Sequence, residues 1–153
     1  MNVLRRSFLA LGLRGVALTV AAAGMLHAAR ALADWNKAGF ESKAVADVLK
    51  SFGATGAAES KDITITAPDI AENGAVVPVA VSSRIPNTEQ ISIIAEKNPF
   101  PLAATFGLAG GGDAYVSTRL KMGQTSDVWA LVKAGGRYYV AKKEVKVTVG
   151  GCG

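Results

Sequence analysis

Few residues in this chain of 153 could do chemistry, and the foremost is its single cysteine, one place from the end in V-G-G-C-G. A thiolate is a soft nucleophile that exchanges with disulfides and can bear a chain of sulfur atoms. Gly150, Gly151 and Gly153 surround Cys152 with backbone alone, so no side chain hinders its entry into a narrow cleft. The same glycines provide no base, no oxyanion donors and no selectivity pocket. The pattern predicts a flexible arm, residues 150–153, that carries a group on Cys152 into the sites of other proteins. On this reading the arm holds no catalytic residue and no metal, and the cargo on Cys152 stands where a cofactor would. A second reading stays open at this point, an adaptor whose tail forms a mixed disulfide with one fixed partner. A direct thiol oxidoreductase is disfavoured, because the chain has no C-x-x-C pair.

The remaining candidates are weaker. Gly110, Gly111, Gly112 and Asp113 form a glycine-rich stretch without the lysine and hydroxyl of a phosphate loop, and read as a flexible hairpin. Asp113 and Asp127 have no metal-ligand spacing. Trp129, Tyr138 and Tyr139 fall in strand patterns that suit core or interface packing. Lys142, Lys143 and Lys146 could attract an anionic sulfur species, or could simply form a solvated strand face.

The N-terminus reads as an export signal over residues 1–33. Arg5 and Arg6 precede a mildly apolar run at 15–26 that is too short to span a bilayer, and Ala31-Leu32-Ala33 offers a small-x-small cleavage site. The twin-arginine route to the periplasm is expected, with no stable membrane insertion. Cleavage there removes the only histidine, His27, and with it any histidine-ligated metal or histidine-based triad. Four arginines leave as well, so thirteen basic side chains face twelve acidic ones. That balance gives no electrostatic footprint for nucleic acid. The remaining 120 residues suffice for one domain with a real core.

Residues 34–53 read as an N-terminal helix. Val45, Val48, Leu49 and Phe52 repeat at helical spacing, Phe40 and Ala44 widen the stripe, Gly39 weakens the first turn and Gly53 caps the end. An amphipathic helix packed on the domain and a partner-binding helix both fit. Beyond a Gly/Ala/Ser-rich connector, residues 60–149 read as strands. Six or seven short apolar runs with turn signals predict a mainly β, antiparallel sandwich. Asn73-Gly74 marks a turn, Pro78 favours a sheet edge or bulge, and N-P-F-P at 98–101 marks a loop. In the last run Val145, Val147 and Val149 share one face, which anchors the arm to a half-buried strand.

Taken together, these features resemble the SoxY family of sulfur carriers. The resemblance rests on the twin-arginine leader, the opening helix, E-N-G-A-V-V-P-V at 72–79, N-P-F-P, the valine-rich final strand and the Gly150-Gly151-Cys152-Gly153 tail, one glycine short of the family's arm. It implies an immunoglobulin-like β-sandwich and a tight heterodimer with SoxZ (SoxYZ). It further implies thiosulfate loaded on Cys152 by the haem enzyme SoxXA, sulfate release by SoxB, and oxidation of the remaining sulfur by SoxCD where present. Cys152 matches the family's carrier cysteine, and Gly150, Gly151 and Gly153 its flexible surround.

Overall fold

A computed structural model describes residues 35–108 and 113–148. All but Trp35 belong to the second of two compact units, Asn36–Gly153. The leader, the glycine run at 109–112 and the arm lie outside the described residues.

The expected single helix is two. Helix α1 spans Lys37–Glu41 and α2 spans Val45–Ser51. Asn36 caps α1 by accepting a hydrogen bond from the Gly39 amide at 2.9 Å. Ser42 ends it: its hydroxyl donates to the Ala38 carbonyl at 2.7 Å and its backbone turns extended. Serine competes with the helix ladder in this way. Asn36 also donates to Ser51 Oγ at 3.0 Å, tying the two helices together. Gly39 is buried rather than a weak first turn; a Cβ there would stand 2.8 Å from Ser51 Oγ and 3.0 Å from Leu102 Cδ2. Gly53, at φ 69°, closes α2 as expected, with Ala54 donating to Leu49 and Gly53 to Lys50.

Nine strands follow among the described residues, the first at Ala58 rather than residue 60: β1 Ala58–Glu59, β2 Ile63–Thr66, β3 Ile70–Ala71, β4 Val77–Ser83, β5 Thr88–Ala95, β6 Leu102–Gly107, β7 Tyr115–Leu120, β8 Ser126–Ala134 and β9 Arg137–Val147. The larger sheet runs β1-β9-β8-β5-β6, with β3 also on β9; the smaller runs β2-β4-β7. The long pairings are antiparallel, as predicted. The two-residue strands β1 and β3 instead pair parallel with β9, at its start and its end. They cover the outer edge of β9 in two places and blunt it as a template for another chain.

The main core fills the space between the sheets, with Val77, Val79, Val81, Ile91, Ile93 and Val145 among its members. A second core lies between the other face of the larger sheet and the helices, where Val48 of α2 packs with Ile94, Leu102, Leu131 and Val140. Ile93 and Ile94 serve different cores because successive side chains of a strand point to opposite faces of the sheet. The apolar stripe of α2 is therefore spent on the domain itself. Pro78 sits in the middle strand of the smaller sheet, yet β2 stops opposite Ala80, so the strand is locally an edge where proline stands.

Candidate functional site: the root of the C-terminal arm

The site begins where the last strand ends. Beyond Thr148 come five residues, Val149 to Gly153, outside the described part of the chain. What the fold fixes is their point of departure. Lys146 donates its amide to the Asp69 carbonyl at 3.0 Å, Val147 to Thr125 Oγ1 at 3.0 Å, and Thr148 to the Ala71 carbonyl at 3.1 Å. Val145 is fully buried, paired with Ser126 of β8. Three successive amides are thus held by two different segments. Four residues of extended chain place the Cys152 Cα no more than about 14 Å from that of Thr148.

Gly74 sets the shape of the root. The Asn73-Gly74 turn predicted from the sequence brings the Gly74 carbonyl to the Met122 amide at 2.7 Å. Asn73 Oδ1 accepts from the Ala75 amide at 2.9 Å, which closes the turn from inside. A Cβ on Gly74 would overlap the Met122 carbonyl oxygen and lie 2.8 Å from Val147 Cγ1. Only glycine lets this turn, the β7–β8 connection and the last strand meet so closely.

The lysines of β9 divide. Lys142 lies over the Trp129 ring, 4.6 Å from its centroid, and faces Glu59 at 3.7 Å. Lys143 donates to the Ala67 carbonyl at 2.6 Å and pairs with Asp69 at 3.1 Å. Both are committed to the platform. Lys146, exposed beside Ile70, is the lysine of the three nearest the root. Trp129 donates to Glu96 Oε2 at 2.9 Å and packs with the second core, so its role is structural. Tyr138 packs in the same core against Phe52, and Tyr139 against the inter-sheet core. Asp113 and Asp127 are not brought into any metal-binding group; among the described residues no three His, Cys, Asp or Glu side chains are placed to hold an ion.

The arm expected at 150–153 lies outside the described residues, and most of the residues around its root had no mark of their own in the sequence. Ile70, Thr125 and Met122 carry no local signal, because their contact with the root comes from pairing between segments far apart in the chain. Asn73-Gly74 was the one visible mark.

Comparison with known proteins shows the family of the chain. The sequence pattern of the family described as Sulfur oxidation protein SoxY matches residues 48–152, a span that includes Cys152. A solved structure, the sulfur carrier protein SoxY from Chlorobium limicola f thiosulfatophilum, is 42% identical with a TM-score of 0.61, over 67% of this chain and 93% of that one. An engineered protein aligns at 15% identity and a TM-score of 0.41, over 68% of this chain and 24% of that one, too distant to bear on the site. No curated protein sequence matches. The chain belongs to the SoxY family and is a non-catalytic sulfur carrier of the Sox sulfur-oxidation pathway.

Proposed function

We propose that the chain carries its cargo covalently on Cys152. The observation that carries this reading is the pairing of a single terminal thiol among glycines with a strand end held by three hydrogen bonds. Loading joins the Cys152 thiolate to the outer sulfur of thiosulfate and releases two electrons, giving Cys–S–S–SO3−. The acceptor is a haem enzyme, in the role of SoxXA. Hydrolysis of the S–SO3 bond, in the role of SoxB, consumes water, releases sulfate and two protons and leaves a persulfide on the cysteine. A sulfane dehydrogenase, in the role of SoxCD, acts on that sulfur where it is present. The chain supplies no redox centre to these steps. It supplies retention, which raises the local concentration of the intermediate at each enzyme in turn.

SoxZ is the proposed tight partner, and the periplasm, reached by the twin-arginine route, the proposed compartment. Residues 1–33 support the export reading. One experiment addresses these points together: non-reducing intact-mass spectrometry of the exported protein, before and after a reductant, with the C-terminal peptide mapped. The expected result is a chain beginning at Asp34, with thiosulfate-derived or polysulfur adducts on Cys152 that vanish on reduction. A single protein adduct would instead identify an adaptor with one fixed partner. The Cys152→Ser variant is expected to fold normally and to take up no sulfur; sulfur loading on that variant would sink the assignment.

A further inference from the structure

The two ends of the sandwich differ in a way that bears on how enzymes reach the thiol. Strand pairing brings the end of β5, the start of β6, the start of β8 and the end of β9 to one pole: Ile94 pairs with Leu102, Ala95 with Val128, and Ser126 with Val145. The turns of this pole are laced together. Asn98 donates to the Lys121 carbonyl at 2.7 Å, the Lys97 amide to Ser126 Oγ at 3.0 Å, and the Met122 amide to Gly74 at 2.7 Å. The arm leaves from this pole.

Five large apolar side chains are exposed among the described residues: Trp35, Ile70, Val76, Phe100 and Tyr115. Three of them, at 57%, 50% and 53% exposure for Ile70, Val76 and Phe100, stand at the arm's pole. Ile70 pairs with Lys146, two residues before Thr148. Val76 closes the turn whose Gly74 touches Val147. Phe100 tips the β5–β6 connection, the segment tied to Lys121. Tyr115 belongs to the opposite pole, opposite Ser82 on β4.

The arm's length turns this shared pole into a constraint. With Cys152 within about 14 Å of Thr148, an enzyme that acts on the thiol must bring its own surface down onto the residues around Thr148. A short arm and a bare apolar collar are complementary features of one contact. We propose that this pole is the docking face for the enzymes that process the Cys152 adduct, gripped through Ile70, Val76 and Phe100 by an apolar rim around the partner's active-site mouth. The inference rests on the carrier reading above and adds the surface through which it works. Such a contact is small and transient, as suits a carrier that must visit more than one enzyme.

The test separates docking from loading. The mature chain, with its stable partner subunit bound, is loaded without any enzyme: the Cys152 thiolate displaces thiosulfate from tetrathionate and forms Cys–S–S–SO3− directly. Sulfate release by the pathway's hydrolase is then followed for wild type, Ile70→Glu, Val76→Glu, Phe100→Glu and, as a charge-matched control at the far pole, Tyr115→Glu. A glutamate buried without a partner in an apolar contact is costly. The expected result is a fall of about tenfold or more in kcat/KM for at least two collar variants. KM should carry the change, Tyr115→Glu should stay at the wild-type rate, and alkylation of free Cys152 by iodoacetamide should proceed equally in all. Ile70→Ser and Phe100→Ser serve as variants without added charge, and thermal melts verify folding. Collar variants turned over at the wild-type rate overturn the proposal. So does loss of the stable partner subunit from them on gel filtration, which would assign the pole to that subunit instead. A loaded wild-type protein that releases no sulfate would remove the carrier reading, and the docking face with it.

Discussion

At the scale of single residues, two glycines show how the kind of neighbour decides the cost of a methyl group. At Gly74 the atom in the way is the backbone carbonyl of Met122, which cannot swing aside without moving the β7–β8 connection. Gly74→Ala is expected to destabilise by about 1–3 kcal/mol, in the range of overpacked cores. At Gly39 the neighbours are side-chain atoms of Ser51, Leu102 and Asn36 rather than backbone. They can yield, and alanine gains about 1 kcal/mol over glycine inside a helix. Gly39→Ala should therefore cost well under half as much as Gly74→Ala. Urea titrations of the two variants measure both, and a larger loss at Gly39 would show that the Asn36–Ser51 hydrogen bond matters more than this account allows. Cys152 stands apart from such accounting. Its chemical role is proposed from the sequence, where a lone thiol among glycines is the mark that suggests it.

At the scale of elements, the fold was legible wherever a strand was long enough to show its period. β9 announced itself through alternating valines, and Val145 is indeed fully buried. β1 and β3 have two residues each, too few for any alternation, and only tertiary contact with β9 defines them. The helix break escaped notice because the stripe through Phe40, Val45 and Leu49 continues across it, while Ser42 ends the ladder with its own hydroxyl. The collar of the arm was hidden for the same reason as β3: it is assembled from 70–76, 96–101 and 121–125. Its contribution can be read at one amide. Val147 donates to Thr125 Oγ1, so Thr125→Ala removes one hydrogen bond worth about 1 kcal/mol from the strand's end. Native-state hydrogen exchange at Val147 should accelerate about fivefold in that variant, with Leu131 in the middle of β8 unchanged. Equal protection of Val147 in both proteins would mean that the strand's end is held without Thr125.

At the scale of the whole molecule, the proposed carrier role divides labour between a platform that must not move and a tail that must pass through narrow places. The platform draws its stability from two cores, one between the sheets and one beneath the helices. The proposed arm, residues 150–153, is glycine apart from Cys152. Stability and transfer should accordingly respond to different residues. Bulky substitutions such as Gly150→Phe or Gly151→Phe are expected to shift unfolding free energy by no more than about 0.5 kcal/mol, as for changes remote from a core. The same variants should slow transfer at each partner enzyme, because an aromatic ring beside the thiol must enter the same cleft that admits Cys152. Ile93→Ala, inside the inter-sheet core, should do the reverse. It should cost about 2–5 kcal/mol in stability, while the protein that remains folded is loaded and turned over at the wild-type rate. Measuring unfolding and single-turnover sulfate release on the same preparations puts both quantities side by side. If the glycine variants lost stability and kept their transfer rates, the tail would be part of the fold rather than a carrier arm.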